Sequence, residues 1–378
     1  MLAGMTPRSV LVSGAGVAGP ALAYWLARHG FRPTVVEKAA NPRSSGNPVD
    51  VRGEALPVVE AMGVLPQLHA AATSATAMRL LDASGRSIAR LPLPGHRAGA
   101  ERREVEVPRG DLAAVLHGAA RSEAEFLFGD SIAALRQDDH GVDVTFDRAA
   151  PRRFDLVVGA DGLHSHVRRL AFGPEREFVR PTGILVATLP LGEPADHPHE
   201  VHIHNAPGRL VSVHPSRGSA LAAFIFRRPD ITTFDHHDTG LHRRIVTESH
   251  AGLGWRVPAL LDRVASSDEF YFDSVSTVDL PSWSRGRVTL LGDAASCVSL
   301  LGDGSSLAVA GAHALAAALA EHPADPAAAL ARYEAAHRAR VIPKQRGIKR
   351  SAALLVPATR LGLGARNLAA RLGPAGRS

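Results

Sequence analysis

The chain has 378 residues, with 43 Lys+Arg, 37 Asp+Glu, 19 His and one Cys. That length makes two or three domains at about 150 residues each, and a 45% hydrophobic share fills a real core and argues against disorder. One cysteine builds neither an intramolecular disulfide nor a Cys-based zinc site and fits a reducing, cytoplasmic compartment, while a formal charge of +6 with only 12 Phe, 3 Trp and 3 Tyr admits anionic ligands without calling for nucleic acid.

Val10 to Ala27 (VLVSGAGVAGPALAYWLA) would pass for a signal peptide or short membrane span if read alone. Its glycines, serine and proline stand where a span would be leucine-rich. The local pattern explains it better. Ser9–Ser13 is a β-rich run, Gly14, Gly16 and Gly19 form GxGxxG, and Pro20–His29 continues as a helix that stops at Gly30. Phe31–Glu37 is a second strand, and Glu37 falls 18 residues after Gly19, close to the spacing of about 20 expected for a dinucleotide fold. Gly14 permits the tight turn, Gly16 lets backbone N–H groups approach a pyrophosphate, and Gly19 lets the helix lie on the strand. The helix N-terminus adds partial positive charge. Glu37 suits the two hydroxyls of an adenosine ribose and repels a 2′-phosphate, so the tightly held ligand is FAD or NAD rather than NADP.

Arg43–Gly53 is a Gly/Pro/Ser-rich loop, Glu54–Met62 is helical, and Met78–Leu93 reads as a hairpin turning at Gly85. Val105–Val107 is a short strand, and Arg109, Asp111 and Leu112 open a helix to about Ser122. Asp155–Gly159 (DLVVG) is an apolar, buried parallel strand ending at Ala160-Asp161-Gly162. Residues 176–275 change character, with short alternating strands, prolines and most of the histidines. Arg287–Leu291 is another buried strand, followed by Gly292-Asp293-Ala294-Ala295, then Gly302-Asp303-Gly304, then a small-residue helix from about Ser305 to Ala320. The expected division is therefore 1–175 and 276–326 as a discontinuous nucleotide-binding domain, 176–275 as an inserted β-rich layer, and 327–378 as a basic helical tail.

Three elements occur in order: GAGVAG with Glu37, GADGLHSHVRR, and GRVTLLGDAA followed by GDG. Over the whole chain this pattern resembles the class A, single-component flavoprotein monooxygenases of the aromatic-hydroxylase fold, and is similar to the tetracycline-oxidising enzymes and their actinobacterial relatives. The resemblance implies an α/β fold: a Rossmann-like FAD-binding domain of the GR2 type, an inserted antiparallel substrate sheet and a C-terminal helix bridging the two. It implies FAD as resident cofactor and NADPH or NADH as a transient reductant. It further implies hydroxylation of a phenolic or polycyclic small molecule by O2 through a flavin C4a-hydroperoxide, in antibiotic biosynthesis or inactivation. No catalytic side chain is required, since the flavin carries the chemistry.

Carried over residue by residue, the resemblance places Gly14, Gly16, Ala18, Gly19, Glu37 and Lys38 at the adenosine diphosphate. Asp293, after Gly292, meets the ribityl chain, and Gly302, Gly304 and Ser305 approach the flavin ring. Arg109, Asp161 and Gly162 complete the cofactor contacts, and Arg43 and Asp50 line the reductant approach and the flavin. The family's proline between GDAA and GDG is absent here, where the stretch reads Ser296-Cys297-Val298-Ser299-Leu300-Leu301. His202 and His204 alternate on one strand face, and with Arg209 they are the candidate substrate contacts. They lack a third ligand of suitable spacing, so no metal is assigned. The basic, amphipathic 346–371 stretch is not expected to insert stably into a membrane, and the protein is expected to be a monomer, with a dimer left open. A flavin-dependent halogenase or prenyl-chain reductase on the same fold, or a non-catalytic flavin-binding pathway partner, are the alternatives. The tryptophans Trp25, Trp255 and Trp283 form no WxWxIP segment of the halogenase kind.

Overall fold

The computed structural model describes residues 8–41, 48–93, 104–216, 218–298 and 303–372. The chain opens with β1 (Ser9–Ser13), α1 (Ala18–Arg28) and β2 (Arg32–Glu37), the strand–helix–strand unit read above. There follow β3 (Pro48–Arg52), α2 (Ala55–Ala61), α3 (Leu65–Ala71) and the hairpin β4 (Ala77–Leu81) and β5 (Ser87–Pro92). Next come β6 (Glu104–Pro108), α4 (Arg109–Ala120), β7 (Glu125–Phe128), then β8 (Ile132–Gln137), β9 (Val142–Phe146) and β10 (Arg152–Phe154). The middle of the chain holds β11 (Leu156–Gly159), α5 (His166–Ala171), β12 (Val179–Pro190), β13 (Glu200–Ala206), β14 (Arg209–His214) and β15 (Leu221–Arg227). After α6 (Thr239–His250) and α7 (Val257–Ser266) come β16 (Tyr271–Val278), β17 (Ser284–Arg285) and β18 (Val288–Leu290). The chain then runs through α8 (Asp293–Ser296), α9 (Asp303–Glu321), α10 (Pro326–Leu355) and α11 (Arg360–Leu372).

Two large sheets organise these elements. The first has the order β17-β18-β11-β1-β2-β7 and is parallel except for the β17–β18 pair. Its central strands are apolar without alternation because both faces are covered: α1 and the buried residues of the small β10-β9-β8 sheet join the same core. Val10, Leu11 and Val12 are essentially solvent-free, and each contributes roughly 1.5–3 kcal/mol of hydrophobic burial. The second sheet has the order β16-β12-β15-β14-β13-β4-β5. The hairpin within the expected first nucleotide-binding segment, 1–175, therefore joins the second sheet: β4 pairs in parallel with β13. A local pattern shows a hairpin but not which sheet edge it covers. The 176–275 layer also contains α6 and α7, which the sequence reading took as strands. Their apolar residues Ile245, Val246, Val257, Leu260 and Val264 pack on one sheet face.

The tail is a 30-residue helix, α10, about 45 Å long at 1.5 Å per residue. Asp325 caps it by accepting from Ala328 N, with Pro326 in its first turn. It packs on α9, and then reaches the second sheet, where Arg227 donates to the Ala352 and Val356 carbonyls. The α9–α10 seam is tight at Gly311: an added Cβ would lie 2.7 Å from His337 Nε2 and 3.1 Å from Leu291. Gly347, on α10, has open space around it. Gly311→Ala is therefore expected to cost about 1–3 kcal/mol through overpacking. Gly347→Ala is expected to stabilise by up to about 1 kcal/mol through helix propensity. Urea midpoints of the two variants check both signs.

Candidate active site

The first strand–helix turn is built for close backbone approach. Gly14 has φ 105°, and a Cβ there would lie 2.6 Å from the Ala160 carbonyl oxygen. A Cβ on Gly19 would strike the Gly14 carbonyl, so the helix lies too near the turn for any side chain. Gly16 faces open space, α1 has no side-chain cap and no acid in its first turn, and Ala18 opens it, buried. The free N–H groups of that turn are thus left for an anion. Glu37 ends β2 beside them. Its carboxylate accepts from Ala15 N and Ala39 N, both at 2.9 Å, which uses two of its roughly four lone-pair sites. Lys38 is exposed next to it. These residues fit the adenosine and pyrophosphate of FAD.

The last motif lies at the end of β18, at the same sheet edge. Gly292 has φ 64°, and Asp293 begins α8. Burial raises the Asp293 carboxyl above its ordinary pKa, and the Arg109 guanidinium at the start of α4 opposes that shift. A Cβ on Gly304 would lie 3.2 Å from Val298 O and 3.7 Å from Asp293 Oδ1. Gly304, in the first turn of α9 with Ser305, therefore lies close to Asp293. Asp303 is held by Arg52 at 3.0 Å and Lys344 at 3.2 Å. Ser306 Oγ donates to Asp50 O at 2.7 Å and accepts from Arg52 N at 3.1 Å. Asp50 thus reaches the site as part of β3, its carboxyl raised by burial against the opposing charge of Arg52. Arg43 and Gly302 lie outside the described residues.

The middle motif joins the other two. Asp161 accepts from His166 N at 2.8 Å, Val167 N at 3.0 Å and the Ser165 hydroxyl, which places an acid at the N-terminus of α5. Its carboxylate shapes the loop, and Gly162, at φ 82° with open space around it, presents backbone to the cleft. Arg168, at the end of the same motif, is fully buried and donates to Ala294 O at 2.9 Å and to Leu163 O. It locks this loop to the Asp293 loop. Gln345 of α10 adds bonds to Cys297 O and Val278 O.

The expected substrate contacts are corrected by the second sheet. Cross-strand partners share a face, and His202, His204 and Arg209 are paired with Val213, Val211 and Phe226. Val211, Val213 and Phe226 pack beneath α6 and α7. His204 is buried with its Nδ1 3.3 Å from Leu81 O, His202 sits 3.6 Å from Glu200, and Arg209 donates to Ser249 O on α6. All three therefore point away from the cofactor domain. The opposite face carries the row Tyr271, Thr188, Ala223, Ser212, one residue from each of β16, β12, β15 and β14. Its Ile184 and Val275 join the core of the first domain, and Tyr271 lies in the fields of Arg109 and Asp273.

His214, two residues beyond Ser212, is on this front face. Its Nε2 is 3.0 Å from Ser212 Oγ, and its Nδ1 is buried and without a partner among the described residues. Burial pushes His214 down to about 4, so the imidazole is neutral at ordinary pH. Tyr271 donates to Asp273 at 3.2 Å, and burial raises its pKa, so it remains a phenol. Neither residue belongs to a motif. Strand alternation was the available signal, but only the helices show which face is covered.

A further ionic cluster bridges the domains. His164, in the middle motif, places Nδ1 3.0 Å from Glu175 and Nε2 3.2 Å from Asp273 of β16. The His236 ring lies 3.7 Å from the His164 ring. Burial disfavours the charged form of His164, but the Asp273 and Glu175 carboxylates outweigh it and push the imidazole up to about 9.

A family model described as an FAD binding domain matches residues 8–344. A flavin-dependent monooxygenase of Legionella longbeachae serogroup 1 (strain NSW150) is 34% identical over 341 residues, covering 89% of this chain and 87% of that protein. An uncharacterised protein of Mycobacterium tuberculosis (strain ATCC 25618 / H37Rv) is 40% identical over 316 residues, covering 82% and 85%. Among solved structures, the tetracycline destructase Tet(51) matches with a TM-score of 0.84 at 30% identity, covering 97% of this chain and 96% of that one.

The raised pKa of His164 sets a pH signature. The folded state binds the proton more tightly, so the stabilisation is complete below the ordinary pKa of 6.5 and is lost as pH rises through about 9. The urea midpoint of the native protein should exceed that of His164→Asn below pH 6.5, and the two should converge toward pH 9. A gap independent of pH would remove the imidazolium from the account.

Proposed function

This chain belongs to the FAD-binding-domain family and is a flavoprotein monooxygenase, and from that premise we propose that it uses NAD(P)H and O2 to hydroxylate a phenolic or polycyclic small molecule. The observation that carries the substrate class is the front face of the second sheet. It presents two partly exposed hydrogen-bonding groups, His214 and Tyr271, with the half-buried Ile225, while Ser212, Thr188 and Ala223 of the same face are buried. An apolar wall with a few placed polar groups suits a flat aromatic ligand carrying hydroxyl or carbonyl oxygens. The likeness to a tetracycline destructase and to flavin-dependent monooxygenases supports the same class.

Bound in the cleft, FAD would supply hydride acceptance and oxygen activation. The protein's part is to hold and orient. The α1 N-terminus and the glycine turn would hold the pyrophosphate, Glu37 the ribose, and Asp293 the ribityl chain. The first turn of α9, close to Asp293 at Gly304, would offer its positive end to the ring. His214, neutral because its pKa is about 4, is a poor base for a phenol and so positions it, through whichever ring nitrogen faces the ligand. Tyr271 stays protonated and donates.

Two measurements test this reading. Purified protein should carry flavin, and NAD(P)H oxidation should rise with a tetracycline or another aromatic polyketide and yield a product heavier by one oxygen atom. Colourless protein that takes up no FAD would sink the reading, and oxidation yielding only hydrogen peroxide across such a panel would sink its hydroxylation step. His214→Phe should raise KM about tenfold, the loss of one hydrogen bond of about 1–1.5 kcal/mol, with flavin content unchanged. A KM within twofold of the native value would remove His214 from the substrate site.

A further inference from the structure

After Glu334 the sequence contains no Asp or Glu, yet it carries ten cations, Arg338, Arg340, Lys344, Arg346, Lys349, Arg350, Arg360, Arg366, Arg371 and Arg377. With a total formal charge of +6, the rest of the chain is net negative. All of these but Arg377 lie on one stretch of structure, α10 from Arg338 onward with α11. Arg340 and Lys344 are used in ion pairs with Glu54 and Asp303. Arg346, Lys349, Arg350 and Arg360 are exposed and meet no carboxylate among the described residues.

The same stretch exposes apolar side chains. Leu361, Leu368 and Leu372 of α11 are 87%, 56% and 61% exposed, and Leu354, near the end of α10, is 67% exposed. At 100° per residue, Leu361, Leu368 and Leu372 fall within about 40° of arc, with Ala365 between them. The other side of α11 faces the protein: Arg366 donates to Asn205 on β13, Arg371 to Ile88 O on β5, and Ala370 packs against the Val201–Ile203–Leu210 cluster. No residue of α11 is buried. The helix is therefore pinned along one side and presents a leucine stripe outward, with Arg360 beside Leu361.

We propose that α11, with the exposed cations at the end of α10, docks this protein on an anionic lipid surface. A stripe of leucine flanked by arginine is the chemistry that lies in a bilayer interface, apolar side chains among the acyl chains and guanidinium groups on phosphate. Charge decides against a second copy, since a symmetric contact would bring two acid-free cationic faces together. The leucines decide against a soluble polyanion, which has no use for them. No described helix is long and apolar enough to cross a membrane, so the docking is peripheral. The proposal stands independently of the substrate reading.

The test is sedimentation of the full-length, flavin-loaded protein with phosphatidylcholine vesicles, with and without phosphatidylglycerol. Binding should require phosphatidylglycerol and weaken with salt. Arg350→Gln and Arg360→Gln should each weaken it about fivefold, the value of one cation near such a surface. The triple replacement of Leu361, Leu368 and Leu372 by Ser should weaken it tenfold or more, with the urea midpoint and NAD(P)H oxidation unchanged. The arginine variants keep the proposal open to refutation if the leucine variant misfolds. Equal pelleting with both vesicle types overturns the proposal. Binding that heparin abolishes and the leucine variant retains assigns the surface to a soluble polyanion. A native dimer that the leucine variant converts to monomer assigns the stripe to self-association.

Discussion

The candidate site depends on one buried cation. The Arg168 guanidinium has no solvent contact, and such a group is tolerated only when carbonyls or carboxylates surround it. Here it donates to Ala294 O and Leu163 O and lies 3.5 Å from Glu175. One end of this arrangement is the loop that carries Gly162, and the other is the loop that carries Asp293. Neither loop can shift without stranding a buried charge. The parallel register of β1, β11 and β18 brings their carboxyl ends to one edge, and Arg168 makes that edge a single rigid rim.

From that rim the second sheet is positioned by charge and by core. Glu175, which neighbours Arg168, also meets His164, and His164 reaches Asp273 on β16. Ile184 and Val275 enter the apolar core of the first domain beside them. The side of the sheet turned to the cofactor domain is thereby determined, and α6 and α7 close the other side. Alternation along each strand then divides every side chain between a cleft-facing set and a helix-covered set. His214 and Tyr271 belong to the first set, and His202, His204 and Arg209 to the second.

The tail completes the frame. Along α10, Arg338 bonds Leu280 O, Gln345 bonds Val278 O and Cys297 O, and Arg227 and Asn205 bond the last carbonyls. One helix therefore spans from the cofactor domain to the far strands of the second sheet. The length of this strap sets how far apart the two domains can lie. It also delivers α11 to the outer edge of the sheet, beside β5 and β13, where the leucine stripe is left uncovered.

Much of the cofactor half was legible in the residues themselves. A glycine turn between two strands, an acid at the end of the second, and buried runs ending in GADG and GDAA each state a local requirement: a backbone that must come close, or a strand that must be apolar on both faces. Such requirements are written at fixed spacing and survive without tertiary context. The family resemblance rested on the same positions. The substrate half was not legible in this way. Strand alternation at His202 and His204 told which residues share a face, but a sheet has two equivalent faces until something packs on one. The hairpin 77–92 looked local, yet parallel pairing with β13, more than a hundred residues on, determined its place. Arg168 belongs to the middle motif, and only burial shows that it ties two loops together. What the sequence by itself determined was each short-range geometry that a glycine, a proline, an acid or an apolar run imposes on its neighbours. What only the tertiary structure decided was which of two faces meets the cofactor, because that choice belongs to α6, α7 and the domain contact rather than to the strands that carry the side chains.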